Sequence, residues 1–125
     1  MLIDTDVLIW NLRGNDNAAV LLDEHRGFSI SAVTYMELLQ GLRDKAEMRA
    51  LRQALHFWEA EIIAIERDIS ARAMFLVEEH ALSHGMQMAD ALIAATALHL
   101  GDILITANDR HYRHIDGLEI DIFRP

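Results

Sequence analysis

Five short runs rich in aliphatic and β-branched residues alternate with longer stretches whose apolar residues recur every three or four positions. A chain with that alternation has few folds open to it. The runs are Met1 to Asp4, Phe28 to Ser31, Glu61 to Ile65, Ile103 to Thr106 and, more weakly, Glu119 to Ile122. Each is short enough to be a buried strand, so the pattern predicts an α/β domain in which helices cover a parallel sheet. Met48, Leu51, Leu55 and Trp58 stand at helical spacing, as do Ile65, Ile69, Ala73, Leu76 and His80, with charged residues interleaved. Both stripes read as core. Gly85 and Gly101 each follow a helical stretch, ending at His84 and Leu100, where a residue that tolerates positive φ commonly stops a helix. No repeat, low-complexity segment or linker interrupts the chain, and residues 1–125 read as one domain.

A single domain of 125 residues, 52% of them hydrophobic, can bury enough surface to need no disulfide or structural zinc, and with no cysteine it has no thiol chemistry. Residues 1–10 (MLIDTDVLIW) show no basic stretch ahead of an apolar run, and no uninterrupted apolar segment approaches the roughly 20 residues of a membrane span. The expectation is a soluble, cytoplasmic protein with no membrane partner. The formal charge of −9 argues at first against nucleic acid, whose phosphates are met chiefly by Lys and Arg. Carboxylates gathered around divalent cations would count as plain negatives in that sum, however, so an acidic chain can still act on phosphates. Ten of the eleven basic residues are Arg, which leans weakly towards anion recognition.

The acidic residues fall in a telling place. Asp4 ends the first run, Glu37 lies about a helical turn beyond the second, and Asp109 follows the run that ends at Thr106. In an open parallel sheet the carboxyl ends of the strands share one edge, where such folds bind ligands. Asp90 is unusual in another way, since it sits in the small, apolar stretch Met88 to Ala95, where an unpaired charge is costly to bury. Four carboxylates at one edge repel unless they hold protons or cations, and an all-oxygen set points to Mg²⁺ or Mn²⁺. Each residue also has a structural reading: Asp4, Thr5 and Asp6 as caps of a helix beginning near Val7, Thr34 and Glu37 as a capping box, Asp109 as a turn residue. His80 and His84, at i and i+4, lack the further ligands zinc requires.

Four segments, in order and spanning nearly the whole chain, sharpen this. They are Leu2-Ile3-Asp4-Thr5-Asp6-Val7-Leu8-Ile9, Ser31-Ala32-Val33-Thr34-Tyr35-Met36-Glu37-Leu38, Ala89-Asp90-Ala91-Leu92-Ile93-Ala94-Ala95-Thr96-Ala97 and Ile105-Thr106-Ala107-Asn108-Asp109. Together they resemble the PIN-domain ribonucleases, specifically the VapC-type toxins of toxin-antitoxin modules. The resemblance implies a doubly wound parallel sheet of about five strands. It implies a metal-dependent endoribonuclease that uses Mg²⁺ or Mn²⁺ to hydrolyse RNA phosphodiesters to 5'-phosphate and 3'-hydroxyl ends. Asp4 and Asp90 become metal ligands, Glu37 a ligand or the group positioning water, and Asp109 or Asn108 the fourth position. Asp6, Thr34 and Thr106 support them. It also implies a cognate antitoxin whose tail inhibits the site, and a homodimer, for which Leu38, Leu39, Leu42, Phe57 and Trp58 are apolar candidates. A nuclease or phosphatase without a toxin role, or a non-catalytic module with an acidic groove, is the alternative.

Overall fold

The computed structural model describes residues 1–125 and holds five parallel strands in one sheet. In chain order they are β1 (Leu2–Ile3), β2 (Ser29–Ser31), β3 (Glu61–Ile63), β4 (Leu104–Thr106) and β5 (Ile120–Ile122). The helices are α1 (Thr5–Leu12), α2 (Asp16–Glu24), α3 (Ala32–Gln40), α4 (Lys45–Phe57), α5 (Arg67–His84) and α6 (Met88–Leu100). The sheet order is β3-β2-β1-β4-β5, so the chain builds outward from β1 to β3, crosses back, and adds β4 and β5 on the other side of β1. The winding reverses between β1 and β4, and in sheets of this kind the crevice opens at that point. Each strand lies within its expected run, shortened by one or two residues at its ends.

Alternation along the strands divides the core in two. Leu2 and Leu104 point to one face and pack with Ile69, Ala73 and Leu76 of α5 and the small residues Ala91, Ala94 and Ala95 of α6. Ile3, Ile30 and Ile105 point to the other and pack with Val7, Leu8, Leu22, Leu38, Leu51 and Leu55. Successive side chains on a strand face opposite ways, so two adjacent apolar residues serve two separate cores. The alanine run of α6 lets that helix lie close on the sheet with no polar group on its inner face except Thr96, whose hydroxyl donates to the Leu92 carbonyl at 2.7 Å.

The apolar residues offered for a dimer are mostly occupied within the chain. Leu38 and Trp58 are buried in the second core, and Leu39 and Leu42 pack against it. Trp58 Nε1 donates to Asp23 at 3.0 Å, and the exposed Phe57 lies under the Arg26 guanidinium. The most exposed large apolar residues besides Phe57 include Met74, Phe75 and Leu82 of α5 and Met88 of α6. No helix is long and apolar enough to cross a membrane.

The two helix stops read from sequence are as expected. Gly85 and Gly101 cap α5 and α6 with φ of 63° and 62°. A Cβ at Gly101 would meet nothing within 4 Å, so replacing it with Ala probes the backbone alone. Gly101→Ala is expected to destabilise the fold by about 1 kcal/mol, the left-handed penalty of an L-residue. Urea unfolding measures it.

Candidate active site

The crevice at the winding reversal is built from the ends of β1 and β4, the first turn of α1, the middle of α3 and the start of α6. Asp4 follows β1 directly and is only 5% exposed. It is the N-cap of α1: Oδ1 accepts the Thr5 amide at 2.8 Å, while Oδ2 accepts the Thr106 hydroxyl from the end of β4, also at 2.8 Å. The capping reading of Asp4 is thus true and incomplete, because the same carboxylate ties the two strands at the reversal point. Asp6 lies in the first turn of α1, with Oδ2 accepting the Ala107 amide at 3.0 Å and 3.4 Å from the Thr106 hydroxyl. Its Oδ1 is buried and has no partner.

Glu37 reaches the crevice from α3. The sequence suggested a capping box with Thr34, and the structure corrects this. The N-cap of α3 is Ser31, whose hydroxyl accepts the Val33 amide, which places Thr34 inside the helix. Thr5 instead donates its hydroxyl to Glu37 Oε1 at 2.8 Å, and Thr34 Oγ1 lies 2.9 Å from the same Thr5 oxygen. Thr5 has one proton and Glu37 can only accept it, so Thr34 donates to Thr5. The buried Thr34–Thr5 pair therefore aims the Glu37 carboxylate and links it to the residue that caps on Asp4.

Asp90 stands in the first turn of α6, where the helix N-terminus favours a negative charge. It is not the unpaired charge its neighbours suggested. The hydroxyl of the fully buried Tyr112 donates to Oδ1 at 3.1 Å, and His111 Nδ1 lies 3.0 Å from Oδ2. These partners were missed in the sequence, where nothing in the polar turn from Asn108 to His114 marks one tyrosine as an internal group. Asn108 and Asp109 open that turn. The Asn108 amide donates to Thr106 Oγ1 at 2.9 Å, but neither the Asn108 nor the Asp109 side chain hydrogen-bonds into the cluster. The structure joins Asp4, Asp6, Glu37, Thr5, Thr34 and Thr106 in one network, while Asp90 is held separately by Tyr112 and His111.

Electrostatics shows how this arrangement is stressed. Burial, with the nearby Asp6 charge adding to it, pushes the Asp4 carboxyl up to about 7, against the lowering effect of its hydrogen bonds from Thr106 and the Thr5 amide. Asp6 is also raised, chiefly by burial. Tyr112 is raised by burial and by the charges of Asp4 and Asp90, so it remains a hydrogen-bond donor throughout the working pH range. A divalent cation fits this donor set. It would satisfy the orphaned Asp6 Oδ1, relieve the repulsion that raises Asp4, and meet only oxygen ligands among the acidic groups. Tyr112→Phe removes a donor from buried carboxylates and is expected to destabilise the protein by about 1–3 kcal/mol. Chemical denaturation above pH 7 checks this.

Comparison with known proteins agrees with the geometry. A family model described as the PIN domain matches residues 1–118. The ribonuclease VapC19 of Mycobacterium tuberculosis H37Rv is 38% identical over 124 residues, covering 94% of this chain and 96% of its own. Among solved structures, a chain of a toxin-antitoxin complex from Klebsiella pneumoniae is 31% identical, with a TM-score of 0.79, covering 94% of this chain and 93% of that one. VapBC2 from Rickettsia felis, bound to a DNA fragment from its promoter, shares the fold at a TM-score of 0.78 and 21% identity, with 98% of each chain covered.

Proposed function

This chain belongs to the PIN domain family, and from that premise we propose that it is a metal-dependent endoribonuclease, the toxin of a type II (VapBC) toxin-antitoxin module. One observation carries the reading: a buried Asp4 beside a half-buried Asp6 whose Oδ1 is orphaned, at the point where the sheet winding reverses, in a chain 38% identical to a ribonuclease. The domain is taken as 1–125, because β5 pairs with β4 just beyond the family match.

Asp4, Asp90 and Glu37 would hold Mg²⁺ or Mn²⁺, with Asp109 or Asn108 at the fourth position and Asp6, beside Asp4 at the end of β1, supporting them. When bound, the cation stabilises charge on the phosphodiester oxygens and lowers the pKa of water. The chain's own groups do the remaining work. Tyr112 and His111 fix the Asp90 carboxylate, Thr106 and the Thr5 amide fix Asp4, and the Thr34–Thr5 relay fixes Glu37. Glu37 is the exposed member of the set, so it is the carboxylate placed to orient a water beside the scissile phosphate. Arg13 lines a groove with Glu37 and Leu38 and is placed to meet an RNA phosphate, as is the exposed Arg110. Arg43, also exposed, pairs with Glu47 at 3.1 Å.

A cognate antitoxin would lay a tail bearing Arg across this acidic crevice, a guanidinium matching paired carboxylates. Co-expression and pull-down tests it, and recovery of an unbound, non-toxic, RNA-cutting protein would reject an obligate antitoxin. A homodimer would use the exposed Met74, Phe75 and Met88 instead of the residues first considered. Light scattering that shows a monomer at micromolar concentration would reject it. For the activity itself, RNA is expected to be cut with Mg²⁺ or Mn²⁺, with cleavage lost on adding a chelator and regained on adding excess metal. Intact RNA under those conditions, or cutting of DNA alone, would overturn the assignment.

A further inference from the structure

Sequence reasoning found His80 and His84 one helical turn apart and no third ligand. The fold supplies one. His114, in the segment that follows the 3₁₀ turn Asp109–His111, comes against both, and the three imidazoles each offer a ligand nitrogen with all three within 4.8 Å of one another. The His84 and His114 rings stack at 4.1 Å between centroids, and His80 meets His114 edge-on at 4.5 Å. Both ring nitrogens of His114 are closed off from solvent and have no hydrogen-bond partner. Such a ring loses its hydration and gains nothing in return, which is rare in a folded protein unless another species completes it.

We infer that His80, His84 and His114 form a second metal site, separate from the acidic crevice, for a late first-row divalent ion such as Zn²⁺. The donor set selects that class, since imidazole suits Zn²⁺, Ni²⁺ and Cu²⁺, whereas Mg²⁺ prefers oxygen. His84 Nδ1 lies 2.7 Å from the Ser83 hydroxyl, which leaves Nε2 for the ion and gives the ring the outer partner that ligating histidines commonly have. Tetrahedral Zn²⁺ at ordinary Zn–N lengths brings ligand nitrogens to about 3.3 Å of one another, so the trio would draw together. His84, which is exposed, is free to turn. Glu79, with Oε1 4.0 Å from His80 Nε2, or a water would take the fourth position. The ion would join the C-terminal half of α5 to the segment two residues beyond Tyr112. It would thereby hold down the strand of chain whose Tyr112 and His111 steady Asp90.

Titration of the metal-free full chain with Zn²⁺, followed by calorimetry and by melting temperature, tests this without reference to nuclease activity. One equivalent is expected to bind and to raise the melting temperature, and Asp4→Asn and Asp90→Asn should keep both effects. His84→Ala, at an exposed position, and His114→Gln should each weaken binding by about 100-fold or more, since removing a ligand costs at least as much as removing an outer partner. Binding kept in His114→Gln would reduce the feature to an ordinary histidine pair and overturn the three-ligand site. Binding untouched in both histidine variants, or lost in Asp4→Asn, would place the zinc at the acidic crevice and overturn it as well.

Discussion

Replacing Asp4 or Asp90 by Asn, or Glu37 by Gln, is expected to reduce RNA cleavage by about 100-fold or more while the chain stays folded. The hydrogen-bond network shows why the fold tolerates these changes. An Asn at position 4 keeps an oxygen to accept the Thr5 amide and offers its NH₂ to Thr106 Oγ1. That oxygen releases its own proton towards Asp6 Oδ2, 3.4 Å away. Gln at position 37 still accepts from the Thr5 hydroxyl. At position 90, Asn still accepts from Tyr112. What the amides cannot supply is negative charge, and an oxygen-ligated divalent cation is held by charge. Metal-free stability should hold or rise in Asp4→Asn, because one charge leaves a repelling pair. The stabilisation that Mg²⁺ gives the parent by binding only the folded state should shrink. Circular dichroism, melting curves with and without Mg²⁺, and an RNA-cleavage assay on the three variants decide the matter. Folded variants that cut at the parent's rate would leave these residues as caps and packing groups.

The parallel sheet, its helices and the edge where the carboxylates meet could be read from the sequence, because they depend on periodicity and on the side-chain direction that periodicity fixes. Leu2 and Ile3, or Leu104 and Ile105, announce a strand buried on both faces. Gly85 and Gly101 announce helix ends because the left-handed conformation they adopt is local. Asp4 was legible twice over, as a cap and as a strand-end carboxylate. The partners of these residues were not. Thr34 and Glu37 have capping-box spacing, yet the chain folds Ser31 into the cap and turns both towards Thr5, 29 and 32 residues away. Tyr112, buried against Asp90 from 22 positions away, sits in a segment without periodicity, and His114 reaches α5 from the same segment. Contacts made by an irregular loop depend on the closed tertiary structure, and no local spacing encodes them.

The metal-free protein is expected to lose stability as the pH rises from about 4 to about 7, a direction opposite to the usual behaviour of carboxylates. In the unfolded chain Asp4 titrates near its ordinary 3.8, whereas in the fold it titrates at about 7. Between those values the folded state holds a proton that the unfolded state has released, so raising the pH favours unfolding until the folded carboxyl has also ionised. A separation of about three pH units corresponds to roughly 4 kcal/mol at full ionisation. Asp6, raised by burial, acts in the same direction. His114 acts in the other. Burial among His80 and His84 lowers it from 6.5, so the stability it contributes disappears as the pH falls below that value. The difference between parent and Asp4→Asn isolates the carboxylates, since His114 is common to both. Urea unfolding in chelator should therefore show the parent less stable than Asp4→Asn at pH 8 and similar to it at pH 4. Mg²⁺ should close the gap at pH 8 by supplying the counter-charge that the proton supplies at pH 4. A parent that matches Asp4→Asn at both pH values without metal would mean that Asp4 ionises without strain and that the crevice is not built to receive a cation.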